Sequence, residues 1–247
     1  MARTSVAIKT QDGLCPASVM RPAGKGPWPA VIVFMDGPGI RPALFELGER
    51  LAGHGYYVLL PDLFYRAGPY PPNNVAALFS DPERRKAWMD KYQSTASYAN
   101  IMRDMRAFLE FLTAQRDVKP GKLGTTGYCM GGGMSLTAAG TYPERVAAAA
   151  SYHGGRLATD APDSPHLLAP KIKARLYIAG AVEDASFPDE MKARLDRALS
   201  DAKVSYTLET YAGARHGWVP TDTPAHNPAA AERHWQTLVG LFDLTLK

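Results

Sequence analysis

The segment Gly127-Tyr128-Cys129-Met130-Gly131-Gly132-Gly133 constrains this chain more than any other. It closes an apolar run, Lys122 to Tyr128, and places glycine two positions either side of a nucleophile. That is the pattern of a strand turning abruptly into a helix around an exposed reactive side chain. The central residue of such an elbow sits in a strained turn, and side chains at the flanking positions would collide with strand and helix. The helix N-terminus favours negative charge, so it is expected to lower the thiol pKa and help hold a developing oxyanion. A buried cysteine in a glycine-rich turn has the same local sequence. What separates the two readings is the downstream chain, because an elbow predicts an acid and then a histidine on loops after later strands.

Short apolar runs alternate with amphipathic segments along the chain, as in βαβ units, so a mostly parallel, doubly wound sheet with helices on both faces is expected. Pro29 to Met35 is uniformly apolar and β-branched, which suits a central strand covered on both faces, and Tyr56 to Leu60 repeats it. Between them Pro42 suits a first helical residue, Leu44, Leu47 and Leu51 recur at helical spacing, and Gly55 offers a left-handed stop. A second helix carries Tyr98, Ile101, Met102, Met105, Phe108, Leu109 and Leu112 on one face and Arg103, Asp104, Arg106 and Glu110 on the other. Further strands are expected at Val146 to Tyr152, Arg175 to Ala179 and Val204 to Tyr211. Helices are expected from Phe187 to Leu199 and, capped by Asn227-Pro228, to about Leu244. Residues 61–94, rich in Pro, Asn and aromatics, read as a long excursion that shapes a pocket, with a short helix near Ala76 to Met89. With 46% hydrophobic residues in 247, one domain spanning 1–247 is expected.

Both downstream residues are present in order. Asp184 follows the apolar run Leu176-Tyr-Ile-Ala179, where a carboxylate can orient an imidazole; Glu183 competes for that role, and Asp184 could instead cap the following helix. His216 lies in Tyr211-Ala-Gly-Ala-Arg-His-Gly-Trp218, on a glycine-flanked loop between the last strand and the last helix. His54, His166, His226 and His234 read as structural or solvated. His153, just past a strand, is placed to line a pocket without catalysing.

Several segments together resemble the dienelactone hydrolase family (carboxymethylenebutenolidases) of the α/β-hydrolase superfamily: Met35-Asp36-Gly-Pro-Gly-Ile40, Pro61-Asp-Leu-Phe-Tyr-Arg66, Gly127-Tyr-Cys-Met-Gly-Gly132, Asp184 to Pro188 and Ala214-Arg-His-Gly217. The resemblance implies Cys129 as nucleophile, His216 as general base and Asp184 as its orienting acid, with the amides of Met130 and Gly37 as oxyanion hole. It also implies hydrolysis of an enol lactone that carries a carboxylate. Asp36 stands where the family has a glutamate that contacts the resting nucleophile. Arg66 matches the first of two substrate-binding arginines, whereas Pro220 stands near the second, with Arg215 as a substitute. Tyr65, Tyr70 and Trp218 are placed to enclose a more apolar ester or lactone.

The formal charge of +4 and pI near 9.0 rest on dispersed Lys and Arg, which read as a solvated surface rather than a nucleic-acid footprint. No apolar run reaches the roughly 20 residues of a membrane helix, and the first residues lack a cleavable leader, so a soluble cytoplasmic protein is expected. Cys15 and Cys129, far apart, suggest neither a disulfide framework nor a thiolate metal site. Without an HExxH motif or tight His/Asp cluster, no metal or cofactor is expected. The expected partner is a small lactone or ester, bound by a monomer or homodimer. A redox-sensing thiol, or a binding protein on the same fold without turnover, are the alternatives.

Overall fold

A computed structural model of the chain describes residues 2–247. The strands are β1 (Ala2–Thr10), β2 (Gly13–Arg21), β3 (Ala30–Phe34), β4 (Tyr57–Pro61), β5 (Leu123–Tyr128), β6 (Val146–Tyr152), β7 (Arg175–Ala181) and β8 (Tyr206–Tyr211). The helices are α1 (Pro42–Gly53), α2 (Val75–Ser80), α3 (Pro82–Lys91), α4 (Tyr98–Thr113), α5 (Met130–Thr141), α6 (Asp189–Asp201) and α7 (Pro228–Leu246). The strands form one eight-stranded sheet in the order β1-β2-β4-β3-β5-β6-β7-β8. From β4 to β8 neighbours are parallel, and β1 and β2 form an antiparallel hairpin joined to β4. The expected doubly wound α/β-hydrolase architecture is what the chain adopts.

The central strands are buried throughout, in keeping with helices on both faces of the sheet. β5, Leu-Gly-Thr-Thr-Gly-Tyr, has little apolar bulk because neighbouring helices lie against it. A Cβ at Gly124 would stand 2.7 Å from the Phe242 ring of α7. Behind the same strand, the buried hydroxyls of Thr125 and Ser135 bond each other at 2.8 Å. α5 is itself buried on nearly every side, so its glycines, alanines and Ser135 serve close packing rather than helix propensity.

Three expectations change. The hairpin β1–β2 extends the sheet at an edge where no strand was expected. On α4, Asp104 belongs to the buried face, held there by Arg66 at 2.7 Å. Residues 61–94 hold two helices rather than one, because Pro82 cannot extend α2 and Asp81 caps α3 by accepting from the amides of Glu83 and Arg84. Among the described residues, no helix is long and apolar enough to cross a membrane. The loops after β3, β5, β6, β7 and β8 gather at the carboxyl ends of the parallel strands, where open α/β sheets place their ligands.

Candidate active site

Cys129 occupies the turn between β5 and α5 with φ 54° and ψ −117°, a conformation non-glycine residues seldom adopt. The turn is kept by close packing. A Cβ on Gly127 would fall 2.0 Å from the Gly131 carbonyl oxygen, and one on Gly131 would fall 2.4 Å from the Phe34 carbonyl oxygen. Neither position admits alanine without displacing α5 from the sheet. The Cys129 thiol is partly exposed and lines a cavity of about 550 Å³.

His216 and Asp184 meet on the loops after β8 and β7. The His216 Nδ1 lies 2.7 Å from Asp184 Oδ2, and Ser186 bonds the other carboxylate oxygen through both its amide and its hydroxyl, at 2.9 and 2.6 Å. The Ser186 hydroxyl also stands 3.1 Å from His216 Nδ1. Of the two competing acids, Asp184 is the buried one that reaches the imidazole, while Glu183 is exposed. Asp184 does not cap α6, whose first turn is preceded by Pro188. Burial pulls the His216 pKa down, but hydrogen bonds to Asp184 and to the Cys129 side chain outweigh it and raise the pKa to about 10. Burial alone would push the Asp184 carboxyl up; the bonds from His216 and Ser186 bring it below the ordinary aspartate value.

His153 is buried beside them with φ 41°. The Cys129 amide donates to its Nδ1 at 3.1 Å and to the Tyr152 carbonyl at 3.2 Å. An Nδ1 that accepts carries no proton, so the neutral ring has its proton on Nε2. Burial, then the neighbouring His216 and His234, hold the His153 pKa well below the ordinary histidine value, so it stays neutral. Its ring packs edge-on to His216 at 5.3 Å and to Trp218 at 4.8 Å.

Asp36 also lines the cavity, but its carboxylate turns to Arg41, which donates to both oxygens at 2.6 and 2.9 Å. The expected contact between Asp36 and the nucleophile is replaced by this ion pair. Arg66 and Tyr65 are placed elsewhere. Arg66 is bound to Asp104 and Asp12, and the Tyr65 hydroxyl bonds Thr10 at 2.7 Å and Asp104 at 3.0 Å. Trp218 is fully buried behind His153, and Tyr70 supports the loop after β3 through the Ile40 amide. The arginine that lines the cavity is Arg215, together with Phe79, Val182 and Pro224. Sequence reasoning missed Arg41, Ser186 and Phe79; a serine two residues after an aspartate is the one local signal among them, since it favours an Asx turn.

The dienelactone hydrolase family matches this chain over residues 15–246. A Synechocystis sp. protein provisionally named carboxymethylenebutenolidase is 28% identical over 252 residues, covering 99% of this chain and 97% of that protein. A Klebsiella pneumoniae structure titled provisionally as a dienelactone hydrolase superposes with a TM-score of 0.85 at 23% identity, covering 98% of each chain. The structure of a dienelactone hydrolase from Anabaena variabilis gives 0.70 at 21% identity, covering 100% of this chain and 99% of the other. At these identities the two structures speak for the shared fold, whereas the family match spans nearly the whole sequence. The chain therefore belongs to the dienelactone hydrolase family of α/β-hydrolases.

Proposed function

We propose that this protein hydrolyses a lactone or small ester through Cys129, His216 and Asp184, by way of a thioester on Cys129. The observation that carries the reading is that Cys129, His216 and Asp184, on three different loops, line one cavity, with His216 Nδ1 held 2.7 Å from Asp184 Oδ2. An imidazole with its pKa raised to about 10 keeps its proton at neutral pH, and the mechanism pairs it with a Cys129 thiolate.

In that mechanism the Cys129 thiolate attacks the carbonyl carbon, and the π electrons move onto the carbonyl oxygen. The Met130 amide, in the first turn of α5 where no intrahelical acceptor exists, and the Gly37 amide donate to that oxyanion. Collapse breaks the bond to the ester oxygen, which takes the proton from His216. The neutral imidazole then removes a proton from water as its oxygen attacks the thioester, and the second collapse releases the carboxylic acid and restores the ion pair. Asp184 and Ser186 hold the Nδ1 side of the ring throughout, which leaves Nε2 for the proton transfers. A thiolate leaves a tetrahedral adduct more readily than an amide nitrogen does, so activated esters and enol lactones suit this nucleophile better than peptides.

The lining supports a small, largely uncharged acyl group, with Phe79, Val182 and Pro224 as walls and Arg215 at hand for a carboxylate. His153 touches the reacting region through the Cys129 amide. A thiol nucleophile requires reducing surroundings, and unpaired Cys15 and Cys129 fit a cytoplasmic setting. The test is hydrolysis of p-nitrophenyl acetate and of a dienelactone by the native protein and by Cys129→Ala. Loss of turnover on both substrates in the variant supports the proposal, and undiminished turnover refutes it.

A further inference from the structure

The loop 36–41 after β3 is held from residues 61–94 at three of its backbone polar groups. Asn73 Nδ2 donates to the Pro38 carbonyl at 2.8 Å, and the Tyr70 hydroxyl accepts from the Ile40 amide at 3.0 Å. Two donors converge on a single carbonyl, that of Gly37: Trp88 Nε1 at 2.9 Å and Gln93 Nε2 at 3.1 Å. A carbonyl oxygen has two lone pairs, and here both are filled by side chains. The approach of Gln93 is so close that a Cβ on Gly37 would stand 2.6 Å from its Nε2.

These bonds fix the direction of an amide that none of them touches. The Asp36 carbonyl accepts from the Gly39 amide at 3.1 Å. In a planar trans peptide the N–H points opposite to the C=O, so this bond turns the Gly37 N–H away from the turn. The next peptide is anchored by its carbonyl on Trp88 and Gln93, and Pro38 restricts its other side. With the planes on both sides of the Gly37 Cα held, glycine's freedom of rotation there is removed.

We infer that Trp88 and Gln93 are positioning residues of the oxyanion hole, acting on the Gly37 amide through the Gly37 carbonyl. The inference rests on the proposed role of that amide, and it gives residues 61–94 a task in the chemical step beyond enclosing substrate. A donor held in place before reaction loses no stabilisation to reorganisation as charge builds on the oxygen. Loosening it lowers kcat and leaves KM nearly unchanged, because the effect belongs to the transition state.

The experiment compares p-nitrophenyl acetate with its thiono analogue, whose carbonyl sulfur is a poor hydrogen-bond acceptor, for the native protein, Trp88→Phe and Gln93→Leu. Rates with a free thiol serve as the chemical reference. Trp88→Phe keeps the ring in its aromatic cluster with Phe64, Tyr70 and Tyr92, and Gln93→Leu provides an independent second variant. The expected result is a fall in kcat on the oxygen ester of about 10-fold per variant, a fraction of the roughly 100-fold loss of a whole donor, with KM within about 2-fold. Thiono ester turnover should change far less, so the ratio of the two rates drops. Equal losses on both substrates, or no loss, would overturn the inference while the Cys129 mechanism stands. A native protein with no preference for the oxygen ester would overturn it together with the oxyanion role of Gly37. Activity surviving in Cys129→Ala would identify a failure of the mechanism itself.

Discussion

Arg41 embraces Asp36 with two parallel hydrogen bonds, at 2.6 and 2.9 Å, and both side chains are almost completely buried. The remaining donors of the guanidinium go to Asp222 at 2.7 and 3.0 Å and to the Gly39 carbonyl at 3.1 Å, so all five N–H groups are used. Burial pushes the Asp36 carboxyl up, and Arg41 opposes it. Through Asp222, Arg41 joins the loop after β3 to the loop after β8, which carries His216.

The consequence for stability is asymmetric. Arg41→Met leaves the Asp36 carboxylate buried without its partner and is expected to cost about 3–5 kcal/mol. Asp222→Asn touches the partly exposed end and keeps the shape of the contact, so its loss should be several-fold smaller. Urea unfolding of both variants checks the order, and equal losses would show that Asp36 does not depend on the guanidinium.

His216 and Asp184 predict a dependence on pH. The folded His216 pKa, about 10, lies above the ordinary 6.5, so its stabilisation is complete below about 6.5 and fades as pH rises through 10. Asp184 is lowered, so its share is present above the ordinary aspartate value and fades only as acid titrates the carboxylate. Thermal melts of the native protein and Asp184→Asn should therefore differ most near pH 5–6.5, and the gap should narrow toward pH 10. A gap that does not vary with pH would contradict the ion pair. In kinetics the same variant should lose about 100-fold or more in kcat, because the imidazole loses the partner that orients it.

His153 should tolerate substitution by Asn better than by Leu. Asn keeps an acceptor for the Cys129 amide and accepts a positive φ, whereas Leu does neither. The expected losses are about 1–3 kcal/mol for Leu and about half of that or less for Asn, read from denaturation midpoints. Because the buried ring stays neutral, neither loss should vary between pH 6 and 8.

Two glycines make a paired prediction. Gly127→Ala should prevent folding or displace α5, since its Cβ would meet backbone at 2.0 Å. Gly240 lies within α7 with no atom near its missing Cβ, so Gly240→Ala should stabilise the protein by about 1 kcal/mol. Circular dichroism melts distinguish them directly.

What the sequence revealed followed from how local the determining contacts are. Uniformly apolar β3 and β4 announced themselves because both faces of the sheet are covered, and the elbow did so because glycine contacts within a few residues shape it. The β1–β2 hairpin was not legible as a strand pair, since most of β1 is solvent-exposed and Pro16 interrupts the pattern of β2. Its turn at Gln11-Asp12, followed by Gly13, was the available signal. Arg41 was hidden for a different reason. One of its carboxylates is five residues away, but the other is 181 residues distant, and no periodicity marks a charge that tertiary contacts bury. Arg66 shows the opposite error. The segment Pro61-Asp-Leu-Phe-Tyr-Arg66 resembles one that carries a substrate-binding arginine, yet Asp12 and Asp104, from separate elements, claim the guanidinium.

The central claim is that Cys129 carries the acyl group, and the most direct measurement is intact and peptide mass spectrometry of protein acid-quenched during turnover of p-nitrophenyl acetate. The account predicts one acetyl group, on the peptide containing Cys129, in the native protein, and neither adduct nor turnover in Cys129→Ala. An acetyl group on another residue during productive turnover, or turnover that persists in Cys129→Ala, would contradict it.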